Sequence, residues 1–180
     1  MKQRPHNDLL MPRWSWKIFF VVITIIWFQL AAAPWFSING IFPDFPILFL
    51  SFFAFILGYH RILLYVFLVG ILKDLLSSAY FGLETVSLLS GAVLFFQIVE
   101  RFDRQNEWVQ AWATFVFSFL VLTFYAVLLR IVQEGYTMGT VFWIRCFLTS
   151  LYTSILTPLV FPFFRHIFRL NLNAKQYELF

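Results

Sequence analysis

One cysteine, Cys146, stands alone in 180 residues. An intrachain disulfide and a multi-cysteine metal site are thereby excluded, and Cys146 reads as a small residue packed inside a helix. Charge is nearly as scarce. Asp, Glu, Lys and Arg make up 12% of the chain against 61% hydrophobic residues, which is no water-soluble composition. Glycine and proline number seven each, too few for a disordered linker or a collagen-like repeat. No polar stretch is long enough to build a separate water-soluble domain.

The parts of several reactions are missing too. His6, His60 and His166 lie far apart, no two at the spacing of a metal-ligand pair, and no His-Glu-x-x-His pattern occurs. A Gly-x-Ser-x-Gly turn and a phosphate-cradling glycine loop are likewise absent. The expectation is a chain with no catalytic residues, no metal and no cofactor. Its net charge of +4 is spread over the ends of apolar runs, with no basic block interleaved with aromatics. Nucleic acid is therefore not an expected partner.

What is present is bulk apolar side chain, including 26 Phe and seven Trp, in long runs that suit a lipid bilayer. The fold class expected is an all-α integral membrane protein, a six-helix transmembrane bundle over residues 16–165. Its helices are expected at about 16–33, 45–59, 62–76, 83–99, 108–130 and 141–164. A short basic segment, 1–15, precedes the bundle and a polar tail, 166–180, follows it. The lead, the first run and the Ala31-Ala32-Ala33 triplet imitate a cleaved signal peptide. The run is longer than a signal core, however, and Pro34 instead ends a helix, because the residue before proline is pushed out of the helical region.

Ten of the 13 Lys and Arg fall in segments that this topology puts in the cytoplasm; Lys73, Arg130 and Arg145 fall on the outer side. An even number of spans then leaves both termini inside, in a cytoplasmic membrane. Helices two and three are the shortest, and a re-entrant hairpin there is the alternative. In the last helix Pro158 and Pro162 predict a kink whose freed carbonyls find Ser or Thr hydroxyls.

Chemistry concentrates in residues 70–84. Asp74 ends an apolar run one turn after Gly70, so a helix puts both on one face, where the glycine lets a neighbouring backbone approach. Ser77 and Gly82 mark the turn that follows. A carboxylate at a helix C-terminus opposes the helix dipole and needs a cation or a set of donors. Arg130 and Arg145 are the expected ion-pair partners, with Lys73 pointing elsewhere. On this reading Asp74→Leu or Gly70→Leu weakens assembly with a partner more than folding.

These residues carry a resemblance. Gly70, Asp74-Leu75-Leu76-Ser77 and Phe81-Gly82-Leu83 together resemble a hairpin of the rod shape-determining protein MreD family of bacterial inner membranes. Phe42-Pro43-Asp44 is similar to that family's Pro-Asp entry to the second helix, and Thr157-Pro158-Leu159 with Phe161-Pro162 to its last helix. The chain departs at Ser78, where many members carry Gly. The resemblance implies a non-enzymatic subunit of the cell-elongation machinery, supporting rod shape and lateral peptidoglycan synthesis. It implies binding to the bitopic protein MreC, and through it a link between MreB filaments and the wall-elongation glycosyltransferase and transpeptidase. It also implies a fold similar to the substrate-binding component of energy-coupling-factor transporters. Partner-binding or helix-packing roles then fall to Pro43, Asp44, Gly70, Asp74, Ser77 and Gly82.

A second reading, a vitamin-binding subunit of a transporter, needs a pocket with convergent polar groups. Asp44, Asp74, Glu84, Arg130, Glu134 and Arg145 are its outer-side candidates.

Overall fold

The computed structural model describes residues 11–31, 33–56, 59–77, 80–99, 106–133 and 138–168. Most of the segment 1–15, most of the tail, Ser78, Glu134 and the charged stretch 100–105 lie outside these residues. The described chain is all-helical, with six α-helices: α1 Met11–Ala31, α2 Phe45–Ala54, α3 Tyr59–Leu76, α4 Leu83–Val99, α5 Glu107–Val132 and α6 Thr140–Phe168. A 3-10 turn, Ala33–Phe36, follows α1. The Asn39-Gly40 turn after it is closed by paired bonds between Ile38 and Ile41, and both turn residues take positive φ, the conformation that Asn and Gly tolerate best.

Helix starts follow local chemistry. Asp44 caps α2 by accepting from the Ile47 amide at 3.0 Å, and Pro46 occupies the first turn, where an N–H would have no helical partner. Asn106 caps α5 in the same manner through the Trp108 amide.

The second helix is shorter than its apolar run predicts. Instead of continuing to residue 59, it stops at Ala54, where Phe55 and Ile56 bond back to Phe52 and Phe53 and tighten the chain into i→i+3 turns. Ten residues reach about 15 Å, half the thickness of a bilayer core. On its own this helix is too short to span a bilayer core; it is a core element. Every residue from Pro46 to Ala54 is buried, with α1, α3, α5 and α6 packed around it.

Phenylalanine fills that centre. Phe52 meets Phe161 edge-on at 5.2 Å between ring centroids, and Phe49 meets Phe164 at 5.8 Å, separations at which aromatic pairs add to simple burial. Buried hydroxyls thread the same region. Thr114 lies 3.0 Å from Ser51 across α2 and α5, Ser154 donates to the Ala111 carbonyl, and Arg165 donates to Gln110. These contacts stitch α2, α5 and α6.

Both prolines sit inside α6. The hydroxyls near them do not reach the carbonyls that proline releases, those of Ser154 and Pro158. Ser150, Thr153 and Thr157 donate instead to Cys146, Thr149 and Thr153, each one turn back, and Ser154 reaches across to α5. A helical hydroxyl bonds the carbonyl three or four residues earlier: the Pro158 carbonyl has no Ser or Thr at either position, and Thr157, three residues after Ser154, turns its hydroxyl to Thr153 instead.

Outside, large apolar side chains remain uncovered, among them Trp27, Ile131, Val141, Ile155 and Leu159. Surface of this kind suits lipid more than water. Two helices, Glu107–Val132 and Thr140–His166, are long and apolar enough to cross a membrane by length and composition.

Candidate functional site

The sequence gives α4 a poor start. The Val86 amide donates to the Gly82 carbonyl, which puts Gly82 at the cap position, with φ +95. Glycine provides the backbone freedom but no side-chain acceptor for the first amides. Asp74, at the end of α3, supplies it. Its carboxylate accepts from the Glu84 amide at 2.9 Å, from the Thr85 amide at 3.0 Å and from the Thr85 hydroxyl. A carboxylate that opposes the dipole of its own helix thus sits on the positive end of the next. Three donors satisfy it at only 4% exposure.

Gly70 makes this possible. A Cβ there would stand 2.6 Å from the Thr85 Cα, so α4 can lie against α3 only because that atom is missing. The sequence expectation that Gly70 and Asp74 share a packing face holds within the chain, with α4 as the neighbouring backbone.

Asp74 pairs with neither of the two arginines expected for it. Arg130 and Arg145 are exposed, and the acceptor sites expected for them are occupied by the backbone of α4. Lys73 does point elsewhere, and where it points is informative. Its ammonium lies 3.0 Å from Asp44 and 3.1 Å from Glu84, linking the caps of α2 and α4. As the last-turn cation of α3 it also favours that helix's negative end. The side chains of Lys73, Asp44 and Glu84 keep 16%, 13% and 21% of their exposure.

Two further helices join. Gln29 of α1 donates to the Pro43 carbonyl at 3.2 Å and accepts from the Phe45 amide at 2.9 Å, bracketing Asp44. The Asp44 amide donates to Thr153, in the middle of α6, at 3.0 Å. Asp44 therefore touches α2, α3 and α6 at once. Pro43, Asp44, Gly70, Asp74 and Gly82 converge on one joint; Ser77 closes α3 through its amide bond to the Lys73 carbonyl.

Sequence reasoning missed Gln29 and Thr85 as members. The absent acceptor at Gly82 is the signal that pointed to a cap from elsewhere. Nothing in the sequence marks Gln29, whose partners are backbone groups.

Chemically the joint is closed on itself. Each carboxylate is spent on helix amides or on Lys73, an arrangement that fixes helix ends and leaves no unpaired base. Among the described residues no group of three or more metal-ligating side chains comes together. A cavity of about 290 Å³ lies at the other end of α4, between it and α5, with an apolar lining. No protein family, curated protein or solved structure matches this chain.

Proposed function

We propose that this chain is a non-enzymatic, multi-pass scaffold subunit of the bacterial cell-elongation complex, seated in the inner membrane with both termini in the cytoplasm. In this reading its six helices form one bundle that binds MreC, and through MreC it supports the link between MreB and the wall-elongation glycosyltransferase and transpeptidase. One observation carries the reading. Two of the three pieces behind the family resemblance, Pro43 and Asp44 in one and Gly70, Asp74 and Gly82 in another, are distant in sequence and meet in a single joint of five helices. Short apolar motifs that agree by accident have no reason to do so.

The joint also favours a scaffold over a carrier of polar small molecules. A vitamin site needs polar groups turned toward a ligand. Here Asp44, Asp74 and Glu84 are turned toward helix ends and Lys73. Because the Gly70–Asp74 face is consumed inside the bundle, MreC is expected to meet another face.

The test is a mild-detergent pull-down of the tagged chain from its own membranes, with proteins and small molecules identified by mass spectrometry. Recovery of MreC or wall synthases without a stoichiometric ligand supports the scaffold. A bound vitamin or a co-purifying ATPase module replaces it with the transporter reading.

A further inference from the structure

Two contacts fix how α6 lies along α5. The rings of Phe115 and Phe147 meet at 5.5 Å between centroids, and the Ser154 hydroxyl donates to the Ala111 carbonyl. The two helices run antiparallel, so Arg145, two residues before Phe147 and nine before Ser154, stands opposite residues 117–120 of α5. That is the middle of a 26-residue helix, which reaches about 39 Å and outspans a bilayer core of about 30 Å. Sequence topology puts Arg145 on the outer side because it lies near the start of α6. The register puts it deeper, because α5 extends past that start.

At that depth Arg145 is exposed. Val141 and Leu148, one helical turn to either side, and Ile144 beside it are exposed too, so the cation sits on an apolar outer face. Of residues 140–151 only Cys146 and Ser150 are buried. A charge within a span is rare unless it pairs or faces water. About 15 Å of hydrocarbon separates the middle of a bilayer core from either surface, further than an arginine stem carries its head. Among the described residues nothing pairs with Arg145. Asp44, Asp74 and Glu84 are held in the joint, and Glu107 opens α5 at its other end. For the same reason no described residue of a second copy brings a carboxylate to this face.

We infer that Arg145 is the docking point for a membrane-spanning helix of a different protein, one that carries an Asp or Glu near the middle of its own apolar span. Guanidinium and carboxylate pair within the hydrocarbon, and Val141, Ile144 and Leu148 pack against the incoming helix around them. The inference rests on the scaffold reading above. It gives that scaffold the contact surface that the Gly70–Asp74 face, consumed inside the bundle, does not supply.

The full chain, carrying a benzophenone amino acid at Leu148, is irradiated in its native membranes, and the adduct is identified by mass spectrometry. One protein should be captured, through a spanning segment that contains a carboxylate. Arg145→Gln in the same chain should cut the adduct about fivefold, the scale of one polar contact between helices in a membrane, and Arg145→Lys should keep most of it. Arg145→Glu should be rescued when the partner's carboxylate is replaced by arginine, a response that contact through shape alone does not give. Should the probe at Leu148 lower helical circular dichroism, Val141 carries it instead. Adducts with lipid alone, with a second copy of this chain or with a segment lacking a carboxylate overturn the inference, as does a yield unchanged by Arg145→Gln. Where such a result accompanies normal recovery of MreC in the pull-down, only this contact falls and the scaffold reading stands. A stoichiometric vitamin in place of any membrane protein overturns both.

Discussion

Gly70 and Thr85 lie so close across α3 and α4 that one added carbon on the glycine would come within 2.6 Å of the threonine Cα. The neighbour is backbone, which cannot swing aside. Gly70→Ala should therefore push α4 away from α3 and lengthen the bonds from Thr85 to Asp74, costing about 1–3 kcal/mol, as overpacking generally does. Gly91 offers the control. Its added carbon would first meet Val121 Cγ2, also at 2.6 Å but at the end of a side chain. Gly91→Ala should cost less, and unfolding of both variants in SDS, followed by circular dichroism, ranks them. Equal losses would remove the special role of the Thr85 contact.

Asp74→Asn tests the cap itself. The amide keeps one acceptor oxygen but turns an NH2 toward donors that already point inward. About 2–3 kcal/mol should be lost, the scale of hydrogen bonds to a charged group. Asp74→Leu should cost more, since every donor is then left bare. This reverses the order expected from sequence: because Asp74 is internal, its loss should first appear as a lower unfolding midpoint, and under the proposed scaffold function weaker recovery of MreC should follow from that. Gly70→Ala combined with Asp74→Asn should cost less than the sum, because both act on the same bonds.

The legible part of this fold is what hydropathy and capping encode. The α4 run and the Asp44–Pro46 helix start could be read directly, as could the need of Asp74 for donors. The end of α2 could not, because its apolar run continues past Ala54 and hydropathy cannot see where i→i+4 bonding stops. The partner of Asp74 was obscured for another reason. Arginine is the visible donor in a sequence, whereas the amides of Glu84 and Thr85 look like those of any residue. They become donors only because α4 begins at a glycine without a side chain to cap it. Gln29 is the least legible member, a polar residue in an apolar run whose partners, Pro43 and Phe45, are backbone atoms brought close by the turn between α1 and α2.

Arg130 and Arg145 supply the negative control. Both are exposed, so Arg130→Gln and Arg145→Gln should each move stability by no more than about 0.5 kcal/mol. A loss comparable to that of Asp74→Asn, in the same SDS titration, would mean that one of them reaches the joint after all.

Lys73 tests whether the joint acts as one unit. Its ammonium holds Asp44 and Glu84 together, and both carboxylates lie on positive helix ends. Lys73→Met removes the only cation that bridges them among the described residues and leaves two half-buried negative charges facing each other. Loss of one partner from a buried pair costs roughly 3–5 kcal/mol, and that range is a ceiling here because all three side chains keep some access to solvent. Adding Glu84→Gln to Lys73→Met should restore part of the loss, since it removes the repulsion while Asp44 keeps its bond to the Ile47 amide. Recovery in the double variant, read as a higher unfolding midpoint than that of Lys73→Met alone, would establish that the lysine offsets mutual repulsion of the two caps. If the double variant is weaker than Lys73→Met, Glu84 contributes through α4 alone, and α2 and α4 are not coupled through Lys73.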